Sequence, residues 1–163
     1  MSKVIKKEYL EAAVPSYNLR TAMEEASRCL LCHEAPCSMA CPAGTDCQGY
    51  VGLIANGEYE AALELVKDKI PLPASLGRVC PHPCENECRR GLIDEPVSIQ
   101  WLKRFVADQD LADEDVFIPE CGPDTGKRVA IIGGGPMGLS AAYFLRQMGH
   151  EVTIFEAMPK AGG

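Results

Sequence analysis

Residues 29–47 read CLLCHEAPCSMACPAGTDC, and residues 80–88 read CPHPCENEC. These two stretches hold eight of the nine cysteines of the chain, while residues 48–79 hold none and the ninth is Cys121. The first stretch begins with the pattern C-x2-C-x4-C-x3-C-P, and the second has the pattern C-P-x2-C-x3-C. This density of cysteines in two short stretches indicates either a disulfide framework or metal ligands.

Composition decides between disulfide bonds and metal ligands for these cysteines. The chain has 163 residues, of which 47% are hydrophobic and 24% charged, as in an ordinary globular protein. Charges within residues 1–8 interrupt the N-terminus too early for a signal peptide, and no apolar stretch approaches the roughly 20 residues of a membrane span. We therefore expect a cytoplasmic protein without a membrane partner, and in a reducing cytoplasm dense cysteines indicate metal. The net charge of −7 argues against a nucleic-acid partner, because neutralising phosphates requires a basic surface.

The spacing of the cysteines is typical of iron–sulfur ligation. A cubane cluster needs four converging thiolates, so two or three come from one tight loop and the last often comes from elsewhere. In bacterial ferredoxins the cysteine that precedes a proline reaches the other cluster, and Cys-Pro occurs here twice, at Cys41 and Cys80. Structural zinc usually takes two separated pairs of ligands, which runs of four and three cysteines fit less well. Zinc and core cysteines without metal are the alternatives.

Two segments around these cysteines resemble one family of enzymes. Residues 25–37, EASRCLLCHEAPC, resemble the N-terminal region of dihydropyrimidine dehydrogenase and of its bacterial NAD-dependent subunit. Residues 77–85, GRVCPHPCE, resemble the small (beta) subunit of NADPH-dependent glutamate synthase. The resemblance covers nearly the whole chain and implies an α-helical ferredoxin-type domain followed by FAD-binding and NAD(P)H-binding domains.

The same resemblance implies two 4Fe-4S clusters whose ligands cross between the two runs. The first cluster would be held by Cys29, Cys32, Cys37 and Cys88. The second would be held by Cys41, Cys80 and Cys84.

The fourth ligand of the second cluster is left open by the sequence. The family usually has a glutamine or glutamate on the helix after the second run, and alignment through residues 97–99 places Lys103 there. A protonated lysine has no lone pair, so it is a poor iron ligand. Gln100, Cys47 and a water molecule are the alternatives, although we expect Cys47 and Cys121 not to be ligands. We also expect His33 and His82 to be loop residues rather than ligands.

A glycine loop near the end of the chain predicts a dinucleotide site. Residues 133–138, GGGPMG, follow a predicted strand at 128–132 and open a predicted helix at 136–148. Glu156 ends a second predicted strand at 151–155, where its carboxylate can accept from ribose hydroxyls and would repel a 2′-phosphate. The pattern favours FAD or NAD over NADP here, and the resemblance implies FAD. The candidate cofactor residues are Gly133, Gly135, Pro136, Met137, Gly138, Glu156, Gly162 and Gly163.

The predicted fold is mainly α. Helical patterns at 20–31, 48–55, 58–69, 84–90 and 99–109 precede a loop rich in acids, prolines and glycines. We expect an α-helical iron–sulfur domain at 1–111, a linker at 112–127 and the start of a Rossmann-like domain at 128–163. Two strands and one helix cannot form a doubly wound sheet, so we expect the chain to be a fragment of a longer enzyme.

The function predicted from these features is electron transfer. In the whole enzyme NAD(P)H would reduce FAD, and the two clusters would pass single electrons to a large catalytic subunit or domain, most like the glutamate synthase small subunit. A dihydropyrimidine dehydrogenase-type NAD-dependent subunit is the close alternative. A zinc-stabilised interaction module and a scaffold with purely structural clusters are alternatives of other classes. No residue is assigned a bond-breaking role.

Overall fold

The computed structural model describes residues 16–163, which contain eight α-helices, one 3-10 helix and two strands. Within these residues, no helix has both the length and the apolar character needed to cross a bilayer. The helical part consists of α1 (Leu19–Ala26), α2 (Pro36–Ala40), α3 (Cys47–Ala55), α4 (Tyr59–Lys67), α5 (Pro73–Val79), α6 (Pro83–Asn86), the 3-10 helix (Arg89–Leu92) and α7 (Ile99–Ala112). After it come β1 (Arg128–Ile132), α8 (Pro136–Gln147) and β2 (Glu151–Phe155). The predicted fold class, mainly α with a βαβ unit at the end, is confirmed.

The core of the helical part forms around α7. Its predicted inward residues Ile99, Leu102, Phe105 and Val106 are all at most 2% exposed, which confirms that face of the helix. They pack with apolar side chains of α1, α3 and α4, and the ring of Tyr59 meets Phe105 edge-on at 5.4 Å between centroids. The cysteine loops pack against this core through Cys29, Cys37, Cys41 and Cys88.

The helices next to the cysteines differ from the predicted ones. The helix predicted at 20–31 ends at Ala26, so Cys29 lies in a loop, and α1 buries Ala22 and Ala26 while Met23 and Leu30 remain partly exposed. The helix predicted at 84–90 is divided into α6 and the 3-10 helix, with Cys88 extended between them. In both places the chain leaves the helix where several cysteines must face one point, which a regular helix cannot arrange.

Two short helices were not predicted. Both α2 and α5 begin with proline, at Pro36 and Pro73, and proline breaks a helix when it lies in the interior. Proline is favourable at the first helical position because its missing N–H would have no partner there. The helix α2 therefore places Cys37 at its second residue and ends directly before Cys41.

The βαβ unit matches its predicted position closely, since only α8 differs and ends at Gln147 instead of residue 148. The strands β1 and β2 are parallel, with Arg128 opposite Glu151 and Ile132 opposite Phe155. Residues alternate between partly buried and exposed along both strands, and Ile132 is 85% exposed. One face of this two-stranded sheet packs on α8 while the other is open.

Candidate iron–sulfur and dinucleotide sites

The first group of predicted ligands comes together around one cavity. Its lining includes the four cysteines of the first predicted set, with apolar side chains from α3 and from the segment that leads into α7. The members of this cysteine group are Cys29, Cys32, Cys37 and Cys88. The structure thus brings these three thiols of the first run and one of the second to a single place, and Cys47 also lines the cavity.

The thiols in this cavity influence one another. Burial raises the pKa of Cys29, and the nearby thiols of Cys32 and Cys88 raise it further, although the backbone N–H of Leu31 opposes this by donating to the sulfur. Burial likewise raises the pKa of Cys37, with hydrogen bonds from Ser38 opposing it and Cys29 and Cys88 adding to it. Several thiolates crowded in a partly apolar cavity need a cationic centre, and iron would supply it.

The cysteine loops use unusual backbone conformations. Among residues 16–163, the non-glycine residues with positive φ are Leu31 at 48°, Glu34 at 51° and His82 at 44°. All three lie between predicted ligands. A left-handed conformation in a non-glycine residue costs roughly 1–3 kcal/mol and occurs mainly at functional sites. Here it lets successive residues present sulfurs and N–H groups to the same side.

An arginine clamp joins the two cysteine runs, and no sequence pattern predicts it. The guanidinium of Arg28 donates to the backbone carbonyl of Glu95 at 2.5 Å and pairs with Asp94 at 3.1 Å. Arg90 pairs with the same Asp94 at 2.6 Å and donates to the carbonyl of Arg28 at 3.2 Å. Hydrogen bonding to Arg90, then to the backbone of Glu95 and to Arg28, holds the pKa of Asp94 well below its usual range. These contacts hold the segment after Cys88 against the residue that precedes Cys29.

A second group of thiols lies around the first residue of α3. Cys41 follows α2, Cys84 lies in α6 and is 7% exposed, and Cys47 is the first residue of α3 and is 2% exposed. The thiol of Cys47 is in hydrogen-bond contact with Cys84 and with Cys41. Cys80, the third cysteine predicted for this cluster, caps the end of α5 and its sulfur accepts from the N–H of His82 at 3.4 Å. The sulfur of Cys47 is therefore the one that contacts both Cys41 and Cys84.

The loop around Cys41 is prepared for a negatively charged sulfur. Burial raises the pKa of the Cys41 thiol, but the backbone N–H groups of Thr45 and Ala43 donate to it, and the nearby side chains of Thr45 and Cys47 also favour the thiolate, so its pKa lies below the usual value. The hydroxyl of Thr45 is wholly buried and has no partner with full hydrogen-bond geometry. A cluster held at Cys41 would give this buried hydroxyl a sulfur acceptor, so the residues present fit such a group.

Lys103 and Gln100 of α7 differ in their relation to this second group. A hydrogen bond with Cys47 lowers the pKa of Cys84, and the positive charge of Lys103, which is only 6% exposed, lowers it as well. Gln100 is engaged elsewhere, because its Nε2 donates to the carbonyl of Gly77 at 3.2 Å and its backbone N–H donates to Glu85 at 2.8 Å. Of the proposed alternatives for the fourth ligand, Cys47 is the one that contacts the other sulfurs.

The remaining candidates, Cys121, His33 and His82, lie in loops. Cys121 is exposed in the loop between α7 and β1, and His33 is exposed as well. His82 is half-buried, and its Nδ1 lies 3.2 Å from the carbonyl oxygen of Cys80. Within residues 16–163, no three His, Cys, Asp or Glu side chains are placed to hold one metal ion. A cluster makes a different demand from a single ion, because each thiolate binds a different iron.

The glycine loop has the geometry that close approach of a phosphate requires. Gly133 has φ of 101°, and a Cβ on Gly138 would overlap the carbonyl oxygen of Gly133. A Cβ on Gly135 would meet no atom within 4 Å, which leaves open space beside the first turn of α8. Pro136 is the first residue of α8, and Met137 beside it is 86% exposed. The positive end of α8 thus faces an open surface suited to a pyrophosphate.

Glu156 and the last two glycines close this loop from the other side. The carboxylate of Glu156 accepts from the N–H of Met158 at 2.7 Å and of Gly134 at 2.6 Å, and these hydrogen bonds lower its pKa. The N–H of Gly162 donates to the carbonyl of Gly134 at 2.8 Å, and Gly163 lies beside Pro136. All eight candidate cofactor residues therefore surround one end of the βαβ unit.

Comparison with known proteins assigns both parts of the chain. Residues 6–115 match the family described as dihydropyrimidine dehydrogenase domain II, 4Fe-4S cluster, and residues 131–163 match the NAD(P)-binding Rossmann-like domain. The chain is 45% identical over 79% of its length to the NADP(+)-dependent formate dehydrogenase subunit beta of Moorella thermoacetica, where the match covers 21% of that protein. It is 41% identical over 95% of its length to the NAD-dependent dihydropyrimidine dehydrogenase subunit PreT homolog of Salmonella typhi, covering 38% of that protein.

A third relative is the NADPH-Fe(3+) oxidoreductase subunit beta of Geobacter sulfurreducens, at 40% identity over 80% of this chain and 20% of that protein. The chain thus spans between a fifth and two fifths of the relatives described here. All three relatives are named as subunits of oxidoreductases. The chain belongs to the iron–sulfur family of dihydropyrimidine dehydrogenase domain II, within the iron–sulfur flavoprotein oxidoreductases.

Proposed function

We propose that this chain is the electron-transfer segment of an NAD(P)H-dependent flavoprotein oxidoreductase and connects FAD to a partner subunit or domain. The observation that carries the proposal is the meeting of Cys29, Cys32 and Cys37 with Cys88 around one cavity. The proposal divides the chain into an iron–sulfur domain at 1–111, a linker at 112–127 and the start of an FAD-binding domain at 128–163.

In this proposal each cysteine group holds a separate cluster. The first group, Cys29, Cys32, Cys37 and Cys88, holds one 4Fe-4S cluster. Cys41, Cys80 and Cys84 supply three ligands of a second cluster. When bound, FAD and the clusters together supply the conversion of two-electron hydride chemistry into single-electron transfer. The protein sets the electron affinity of the clusters through burial and through N–H groups aimed at the sulfurs, such as those of Leu31 and Thr45.

The glycine loop is proposed to hold FAD. The first turn of α8 and the open space at Gly135 receive the pyrophosphate, and Glu156 exchanges its contact with Gly134 for ribose hydroxyls. Glu156 is charged at neutral pH because its pKa lies below the usual value. Its charge would repel a 2′-phosphate, so NADPH, if it is the reductant, would bind elsewhere in the whole protein.

The substrate chemistry is proposed to lie in a large partner subunit or domain. The names of the relatives include dihydropyrimidine dehydrogenase, formate dehydrogenase and Fe(3+) reduction, and the resemblance in the second cysteine run adds glutamate synthase. A similar electron-transfer segment that delivers electrons to different partners would account for this range of enzyme activities. We place the protein in the cytoplasm, where thiolates stay reduced and available to iron.

Rapid mixing of the full-length protein with NADH or NADPH under anaerobic conditions tests this function. Flavin bleaching should be followed by the electron paramagnetic resonance signal of a reduced cluster. A Cys32→Ala variant should still bleach the flavin but lose electron transfer to an external one-electron acceptor, and Cys121→Ala should behave as the wild type. Unchanged transfer in Cys32→Ala would mean that the cluster is structural. Colourless protein that contains zinc would support the interaction module instead.

A further inference from the structure

The strongest unexplained feature of the site is the position of Cys47. It is the most buried of the cysteines, at 2% exposure, yet it lies outside both predicted ligand sets. Its thiol is in hydrogen-bond contact with Cys84 from the second run and with Cys41 from the first. Two of the three proposed ligands of the second cluster therefore face the same unassigned sulfur.

The start of α3 is held firmly enough to fix the Cys47 side chain. Asp46 caps the helix by accepting from the N–H of Gly49 at 2.9 Å, and the hydroxyl of Ser38 donates to Asp46 at 3.0 Å. The N–H of Gln48 donates in turn to the hydroxyl of Ser38 at 3.1 Å. A Cβ on Gly49 would overlap the Asp46 carboxylate, so this turn has little room to rearrange. Hydrogen bonds thus tie the start of α3 to Ser38 in α2, the helix that contains Cys37 and precedes Cys41.

Among the possible ligand atoms around the second group, the sulfur of Cys47 is the most suitable. Lys103 is close to Cys84 and is buried, but an ammonium group has three donors and no lone pair. The side chain of Gln100 is used by the carbonyl of Gly77. A buried ammonium beside a cluster instead offsets negative charge, and a cluster with four thiolates carries one more negative charge than a cluster with three thiolates and a neutral ligand.

We propose that Cys47 is the fourth ligand of the second cluster, which is then held by four thiolates, with Lys103 as a buried counter-charge instead of a ligand. This inference rests on the proposed function, because it requires that Cys41, Cys80 and Cys84 bind a cluster. It also replaces our expectation from the sequence that Cys47 is not a ligand. Cys47 lines the cavity of the first group as well, so this ligand lies between the two groups of thiols.

Spectroscopy of the wild-type chain gives a test that does not depend on a variant that folds. Mössbauer spectra of anaerobic, 57Fe-reconstituted protein should show only iron sites with sulfur coordination. A distinct iron site with an oxygen or nitrogen ligand in the second cluster would overturn the inference. Protein that binds no iron would overturn the proposed function itself, so the two failures are distinguishable.

Substitution adds a second readout. In Cys47→Ser, iron should fall from about eight to about four per chain, or the second cluster should convert to a three-iron form, while the first cluster keeps its signal. Cys121→Ser is the matched control and should keep all its iron, because Cys121 is exposed in the loop between α7 and β1. Adding Lys103→Gln to Cys47→Ser should restore iron, since an amide oxygen can take the vacant position. Two intact four-iron clusters in Cys47→Ser would contradict the inference.

Discussion

At the scale of single residues, the glycine loop shows how one missing side chain permits a site. The carbonyl oxygen of Gly133 lies where a Cβ on Gly138 would be, so α8 can approach β1 only with glycine at that position. Gly135 differs, because a Cβ there would point into open space. The two glycines therefore have different roles, one in packing and one in ligand access.

Gly138→Ala and Gly135→Ala should separate these roles. Gly138→Ala should lower the free energy of unfolding by about 1–3 kcal/mol, because the added methyl group overlaps backbone. Gly135→Ala should change stability little and should weaken FAD binding, because the methyl group occupies the space proposed for the pyrophosphate. Thermal unfolding and flavin fluorescence of the full-length protein measure the two effects. Equal loss of stability in both variants would contradict the assignment.

The residues that could be predicted from the sequence are those that belong to local patterns. The glycines at 133–138 and the spacing from Cys29 to Cys41 are visible because each pattern lies within a few turns of chain. Cys47 is predicted from the sequence not to be a ligand, because its contact with Cys84 arises only through the fold. Arg28 shows the same limit, since its partner Asp94 is 66 residues away.

At the scale of elements, a buried ion pair fixes the segment that follows α7. Lys67 at the end of α4 pairs with Asp110 of α7 at 2.6 Å, and both side chains are less than 10% exposed. Lys67 also donates to the carbonyl of Phe117 at 2.7 Å, while Asp110 accepts from the N–H of Phe117 at 2.7 Å. The hydroxyl of Tyr143 in α8 donates to the carbonyl of Lys67 at 3.2 Å. The predicted linker is thus held at one end by helices from the iron–sulfur part.

Asp110→Ala should release this segment. The free energy of unfolding should fall by about 3–5 kcal/mol, because the ammonium of Lys67 remains buried without its partner. Limited proteolysis should then cut within residues 113–127 earlier than in the wild type. Glu114→Ala removes an exposed carboxylate within the same segment and should leave the cleavage pattern unchanged. Equal cleavage of the Asp110→Ala variant and the wild type would show that the pair does not hold the linker.

Among the elements, those with strong periodicity were predicted well. The strands β1 and β2 and the inward face of α7 follow from their apolar patterns. The end of α1 does not follow from the apolar pattern. The predicted helix continues past Ala26, whereas the chain leaves the helix there as it approaches Cys29. The helices α2 and α5 do not follow from the helical patterns, because proline disrupts a helix interior although it favours the first helical position.

At the scale of the whole molecule, the iron–sulfur part depends on contacts that join two distant stretches of chain. Arg28 and Arg90 hold the segment around Asp94 against the start of the first cysteine run. These contacts lie beside Cys29 and Cys88, which belong to different runs but line one cavity. The clamp therefore prepares the first group of thiols before any cluster is bound.

Arg28→Ala should weaken the first cluster selectively. Without the clamp, Cys88 is held less firmly against Cys29, so this cluster should be lost faster to an iron chelator while the second cluster persists. Arg20→Ala is the control, because Arg20 pairs with Glu24 on the exposed side of α1 and such pairs contribute at most about 1 kcal/mol. Chelation followed by absorbance should show a faster phase for Arg28→Ala alone. Identical rates of iron loss for the wild type and both variants would show that the clamp does not stabilise the first cluster.

The most direct measurement is the metal and sulfide content of anaerobic, freshly reconstituted chain. If thiolates from residues 29–47 and 80–88 meet around two cubanes, analysis should find about eight irons and eight acid-labile sulfides per chain. Protein that binds no iron, or that binds only zinc, would contradict the account.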